Sequence, residues 1–356
     1  MNRTKKLHDI GQSLWVDNIT RTMLDDGTLE RYVVELSVTG LTSNPTIFDK
    51  AIGSGNAYDD QITELSEKGL AGEELFFELA LTDLRRAAEM FRPVHERTTI
   101  DGRVSLEVSP LLADDAEATI KQAAELYNRA EENTYIKIPG TKAGHKAIEE
   151  TIFAGIPVNV TLLFSSEHYL GAADAYYRGL ERRVEAGLNP DVASVASLFV
   201  SRWDAAVADQ VPDELRNKLG IAVGKRTYAA YRELLDSDRA MRLRNEGAKA
   251  QRLLWASTGT KDPDASDVLY IEGLVAPFTV NTMPEKTLHA FADHGEVGEL
   301  LSPDGDDADE VLAAFNEAGI DTDALAVKLQ RDGAEAFSKS WRDMLETLSK
   351  QYQPAA

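Results

Sequence analysis

Eight short apolar or β-branched segments, separated by helix-patterned stretches, constrain this chain more than any other feature. They cover residues 13–17, 36–42, 104–109, 135–138, 158–163, 195–199, 253–257 and 278–282. Between them, residues 116–130, 142–153 and 167–186 carry apolar side chains at helical spacing. Strand-like and helix-like segments in strict alternation are the pattern of a parallel α/β fold. Eight such units predict a closed (β/α)₈ barrel, which a chain of 356 residues with 43% hydrophobic content can fill as one domain. Two gaps are long: 45–103 holds several helical patterns, including 72–90, and 201–252 holds at least two. The turn GSGNAY at 53–58 reads as a helix–helix connection. After the eighth segment come helical patterns at 285–294, 308–318 and 322–349. We therefore expect one domain over 1–356, with the barrel at about 11–294 and a C-terminal helical extension at about 295–356. The acidic run at 304–310 lacks the glycine and terminal glutamate of an EF-hand and is expected to be a solvated loop with a helix N-cap.

Composition narrows the function. The chain has no cysteine, which removes thiolate metal sites and cysteine nucleophiles and fits a cytoplasmic location. Its N-terminus has no apolar signal-peptide core, and no apolar run is long enough to span a membrane. A net charge of −22 repels nucleic acid and anionic lipid. It repels anionic small molecules too, so a site for one needs local cations. His8, His95, His145, His168, His289 and His294 are scattered, with no HExxH, and there is no GxGxxG or Walker loop. Neither a metal nor a cofactor is expected.

In a barrel, the C-terminal ends of the strands face one shared mouth. Reading the segments at that end gives Asp17, Asn44, Glu107, Lys137, Asn159, Thr161, Ser197, Ser257 and Asn281. Polar groups in apolar strands are costly unless paired, so one per strand points to a polar pocket. Lys137, between Ile136 and Ile138, has two readings. It is an edge-strand lysine whose stem snorkels to water, or a buried amine poised to form a Schiff base. Asp17 alone reads more readily as a helix N-cap or turn residue. Glu107, inside an apolar strand, requires a partner. Together the three supply an amine and two acid/base groups, the types that carbon–carbon cleavage through an imine needs.

Several segments resemble the transaldolase family: GLTSNPTIF at 40–48, YIKIPGTKAG at 135–144, VNVTLLFS at 158–165 and SLFVSRWD at 197–204. RLLWASTGTKDP at 252–263 and TVNTMPEKT at 279–287 are similar to the actinobacterial branch. The resemblance runs in order from about Gly11 to His294 and implies a (β/α)₈ barrel with extra helices. It implies that Lys137 forms the imine and that Asp17 takes a hydroxyl proton as the C3–C4 bond breaks. Glu107 would act through a water that Thr161 helps to hold. Asn44, Asn159 and Ser197 would bind hydroxyls of a three-carbon unit, and Arg202, Ser257 and Lys261 the phosphate. Many relatives carry an arginine where Gly259 stands here, and a residue smaller than Leu41 at the second position of the first motif. Phe199 matches transaldolases, whereas the related aldolases carry a tyrosine there.

The implied reaction moves dihydroxyacetone from sedoheptulose 7-phosphate to glyceraldehyde 3-phosphate, giving erythrose 4-phosphate and fructose 6-phosphate, in the pentose phosphate pathway. Sugar phosphates are then the partners, and the chain is expected to be a monomer or homodimer. Three alternatives stand beside this: a fructose 6-phosphate aldolase, a silent sugar-phosphate-binding barrel, and a metal-dependent aldolase. Arg202 also reads as a structural arginine paired with a carboxylate, and Phe199 as an ordinary core aromatic.

Overall fold

The computed structural model describes residues 2–351. Its strands are β1 (Gln12–Val16), β2 (Val38–Leu41), β3 (Arg103–Glu107), β4 (Thr134–Pro139), β5 (Val158–Leu163), β6 (Ser194–Phe199), β7 (Arg252–Ala256) and β8 (Thr279–Met283). They close into a parallel barrel in chain order, β8 pairing back onto β1. Every strand residue is buried. That is why the segments read as near-continuous apolar runs: one face packs on the helices and the other fills the barrel. A closed barrel has no edge, which leaves no place for a snorkelling edge-strand lysine. Lys137 pairs with Glu107 of β3 on one side and Asn159 of β5 on the other.

Helices begin where a short polar side chain can cap them. The side chains of Asn44, Asp115, Thr141 and Ser165 accept from the backbone N–H groups of Ile47, Ala118, Gly144 and His168. The capped helices Pro45–Gly53, Ala116–Tyr127, Lys142–Phe153 and Ser166–Glu185 follow the ends of β2, β3, β4 and β5. The first gap holds Pro45–Gly53, Asp59–Glu67 and Gly72–Thr98, so the Gly53–Tyr58 stretch is the helix–helix turn the sequence implies. The third of these runs beyond residue 90 and through Pro93, because Phe91 and Val94 continue its buried stripe. Proline removes one helical hydrogen bond there, and the packing outweighs it. The acidic loop before Ala308–Glu317 is solvated, but no side chain caps that helix. Asp307 instead meets Lys225 at 2.6 Å.

The base of the barrel is closed by charge. Arg252 at the start of β7 lies 2.9 Å from Asp101 and donates to Ser13 Oγ at 2.7 Å, while Ser13 donates to Asp101 at 2.8 Å. Both charged side chains are less than a tenth exposed. Removing one partner leaves a buried charge alone, so Arg252→Leu is expected to destabilise the fold by about 3–5 kcal/mol. Denaturant unfolding should show this loss while KM of the folded fraction stays unchanged, since the base lies opposite the mouth. A stability within experimental error of wild type would remove this ion pair from the account of the fold.

Candidate active site

At the C-terminal ends of the strands lies a cleft of about 260 Å³. Asp17, Thr42, Asn44, Lys137, Thr161, Ser197, Phe199, Arg202, Ser257 and Lys261 all line it. Nine of these ten carry a role expected from sequence, Thr42 being the addition. Lys137 is 5% exposed and Glu107 4%. The Lys137 Nζ donates to the Ser43 carbonyl at 3.1 Å and lies 3.1 Å from Glu107 Oε2. That second contact is a charge attraction off hydrogen-bond direction: neither Glu107 oxygen, nor the Thr161 hydroxyl, has a hydrogen-bond partner within the protein. Burial pushes the Glu107 carboxyl above the ordinary carboxylate range; the Lys137 ammonium opposes this and the Asp17 charge adds to it.

Asp17 follows β1 and accepts from Thr42 Oγ1 at 2.7 Å, with Thr42 and Thr282 hydroxyls 2.6 Å apart. It is therefore no helix cap. Burial raises its carboxyl too, against weaker pulls from Lys137, the Thr42 hydroxyl and Lys261. Asn44 spends its side-chain oxygen capping the next helix, which leaves its NH₂ group for other partners. Asn159 lies beneath the cleft rather than on its wall. It accepts from Ser197 Oγ at 2.7 Å and donates to Ser105 Oγ at 3.2 Å, and it is fully buried.

Arg202 and Lys261 line the cleft with no carboxylate within ion-pair distance among the described residues. The structural pairing that interior arginines often make is therefore not the role of Arg202. Its guanidinium instead lies 5.2 Å from the Phe199 ring centre and 5.8 Å from that of Phe337, and burial disfavours its charge. Ser257 sits at positive φ (56°), where β7 turns out of the barrel, its hydroxyl 3.0 Å from that of Ser201. Phe199 is 7% exposed, so it is at once a core aromatic and a wall of the cleft.

Sequence reasoning missed several lining residues, among them Thr42, Thr46, Lys50, Thr282 and Phe337. Thr46 and Lys50 stand four apart on the helix that Asn44 caps, a spacing that places both on one face and could have exposed them. On β8, Thr282 rather than Asn281 faces the mouth; Asn281 turns outward and accepts from Thr258 Oγ1 at 3.1 Å. A one-residue step along a strand reverses the face. Phe337 comes from the C-terminal helix and carried no local signal. Among the described residues, no group of three His, Asp or Glu side chains could hold a metal ion.

An amine between two carboxyl groups of raised pKa, beside unpaired cations, suits nucleophilic attack on a carbonyl of an anionic substrate. Comparison with known proteins gives the family. A family model described as transaldolase/fructose-6-phosphate aldolase matches residues 14–348, so the likeness continues past the barrel into the C-terminal helix. The chain is 43% identical over 357 residues to a transaldolase of Saccharopolyspora erythraea, covering 98% of this chain and 97% of that one. A transaldolase of a Parafrankia species is 42% identical over 367 residues, covering 99% and 100%. One from Mycobacterium bovis is 44% identical over 359 residues, covering 97% and 96%. The chain belongs to the transaldolase/fructose-6-phosphate aldolase family and is an enzyme of the transaldolase type.

Proposed function

We propose that this enzyme transfers a dihydroxyacetone unit from sedoheptulose 7-phosphate to glyceraldehyde 3-phosphate through a Schiff base on Lys137, in the cytoplasmic pentose phosphate pathway. The observation that carries this reading is the Lys137 amine, buried in β4 against Glu107 while opening on the cleft that Asp17 shares. The amine attacks the donor's C2 carbonyl, and Glu107, acting through a water, supplies the proton with which the carbinolamine loses water. The unpartnered Glu107 oxygens and Thr161 hydroxyl are polar atoms that such a water would satisfy. Asp17 takes the C4 hydroxyl proton as the C3–C4 bond breaks, and the electron pair moves into the protonated imine to leave an enamine. Addition of the acceptor aldehyde reverses these steps. Asn44, Asn159 and Ser197 position hydroxyls of the three-carbon unit; Asn159 does so through Ser197, given its place below the cleft. Arg202, Ser257 and Lys261 hold the phosphate. The two cations, Arg202 and Lys261, answer the constraint set by a net charge of −22.

The second reading, an aldolase that releases free dihydroxyacetone, differs in what happens to the enamine. Phe199 favours transfer: its ring offers no proton, and it packs against Phe164 and Phe337 with centroids 5.3 and 6.4 Å away. With fructose 6-phosphate as donor, turnover should therefore depend strongly on an added aldose phosphate such as erythrose 4-phosphate. Cleavage at equal rates with and without acceptor would make the enzyme an aldolase.

A second expectation concerns Asp17. Because its carboxyl is raised in the fold, ionising it disfavours the folded state. The stability it contributes is fully present below its unfolded pKa and is lost as pH rises through the folded value. Asp17→Asn should thus gain stability relative to wild type as pH rises above the ordinary carboxylate range, followed by thermal unfolding. Its kcat should fall roughly 10²–10⁴-fold, as loss of a general base does. A variant that keeps its activity, or that loses relative stability as pH rises, would contradict the role of Asp17 or the direction of its shift.

A further inference from the structure

The C-terminal helix, Thr322–Gln351, is fastened across the mouth of the barrel at several points. Gln330 Nε2 donates to the carbonyl of Gly140 at 3.1 Å and to that of Leu162 at 2.9 Å, at the ends of β4 and β5. Trp341 Nε1 donates to Glu73 at 2.7 Å, and Ser109 just past β3 donates to the same carboxylate oxygen at 2.7 Å. Thr46 donates to Ser340 at 2.9 Å. Gln330, Gly333, Phe337 and Trp341 recur at helical spacing and form the face turned to the barrel. Gly333 matters because a Cβ there would come within 3.1 Å of Arg202 Nη1 and 3.0 Å of Leu162 Cδ2. A side chain there would make these neighbours give by a few tenths of an ångström, so the helix passes close to the cleft wall.

One turn on, Phe337 is 7% exposed and lines the cleft. Its ring centre is 5.6 Å from Lys137 Nζ, 5.8 Å from the Arg202 guanidinium carbon and 6.4 Å from the Phe199 ring centre. It thus stands over the span between the amine and the cation, and with Phe199 and Phe164 forms a continuous apolar wall.

We propose that Phe337 is a positioning residue that completes the active site from the C-terminal helix, screening the Lys137 enamine from water so that the three-carbon unit is transferred rather than released. This rests on the Schiff-base reading above. Release requires a proton on the enamine carbon C3, then addition of water across the C=N bond, which frees dihydroxyacetone and restores the Lys137 amine. The proton on C3 is what the ring opposes, because Phe337 lines the cleft beside the amine and offers neither a proton nor a hydrogen bond to hold a water there. Transfer adds the acceptor aldehyde to C3 instead, and water meets the C=N bond only afterwards, when the product imine is hydrolysed to free the ketose and the Lys137 amine.

The test measures two rates with fructose 6-phosphate: release of dihydroxyacetone without acceptor, and transfer to erythrose 4-phosphate or an equivalent aldose phosphate. Phe337→Ala should raise the ratio of release to transfer severalfold, whereas Phe337→Leu, which keeps an apolar wall, should hold it near wild type. Should the alanine variant not fold, Phe337→Asn, polar and of intermediate size, must raise the ratio in its place. A fall in both rates at constant ratio, or no change in either, would overturn the proposal and leave Phe337 a packing residue. Borohydride trapping on each variant separates the two readings. If the wild-type enzyme forms no lysine adduct, the Schiff-base reading itself fails. If adducts form in all variants while the ratio stays constant, only the role of Phe337 fails.

Discussion

The site depends on one unfavourable placement: a lysine amine and a glutamate inside a barrel, 3.1 Å apart and each about 95% buried. Taking two charges out of water costs several kcal/mol per ion, and their attraction repays this only when the surroundings cooperate. The barrel supplies that cooperation by register. Glu107, Lys137 and Asn159 sit side by side on β3, β4 and β5. The Ser43 carbonyl accepts from the amine, and hydrogen bonds from Ser197 and to Ser105 fix Asn159 beneath it. Asp17 adds a second carboxyl whose ionisation burial also resists. A fold that only needed a core would fill these positions with Val, Ile or Leu, as it does on the helix-facing side of the same strands.

The distribution of cations follows the same logic. The surface is strongly acidic, and most lysines and arginines there pair with a neighbouring carboxylate, as in the i,i+4 pairs Lys68–Glu64 and Lys339–Asp343. The cleft departs from that habit. Lys50, Arg202 and Lys261 line it with no carboxylate at ion-pair distance among the described residues. Unpaired positive charge in an otherwise negative molecule focuses an anion at the mouth. Gly259 adds no charge to this wall, which Lys261 and Lys50 line beside it.

Much of this was legible in the chain. The strands were readable because burial on both faces gives short apolar runs, and the structural boundaries fall within two residues of the sequence-based ones. The polar residues at strand ends were readable because a charge inside such a run is too costly to persist unless it is paired or a site uses it. What was hidden depended on geometry beyond a single segment. Thr282 rather than Asn281 faces the mouth, a one-residue matter set by register between β8 and β1. The helix through Pro93 persists because its far turn is buried, which local propensity cannot show. Phe337 lies far along the chain from Lys137, and only the path of the last helix brings them together.

The central claim is that Lys137 is the residue that bonds to substrate. Borohydride reduction in the presence of fructose 6-phosphate, followed by peptide mapping, addresses it directly. The account predicts one reduced dihydroxyacetone adduct, on the peptide carrying Lys137. It also predicts no adduct and no turnover in Lys137→Arg, whose guanidinium supplies no neutral amine. An adduct on Lys142 or Lys146, or none at all under conditions of turnover, would contradict it.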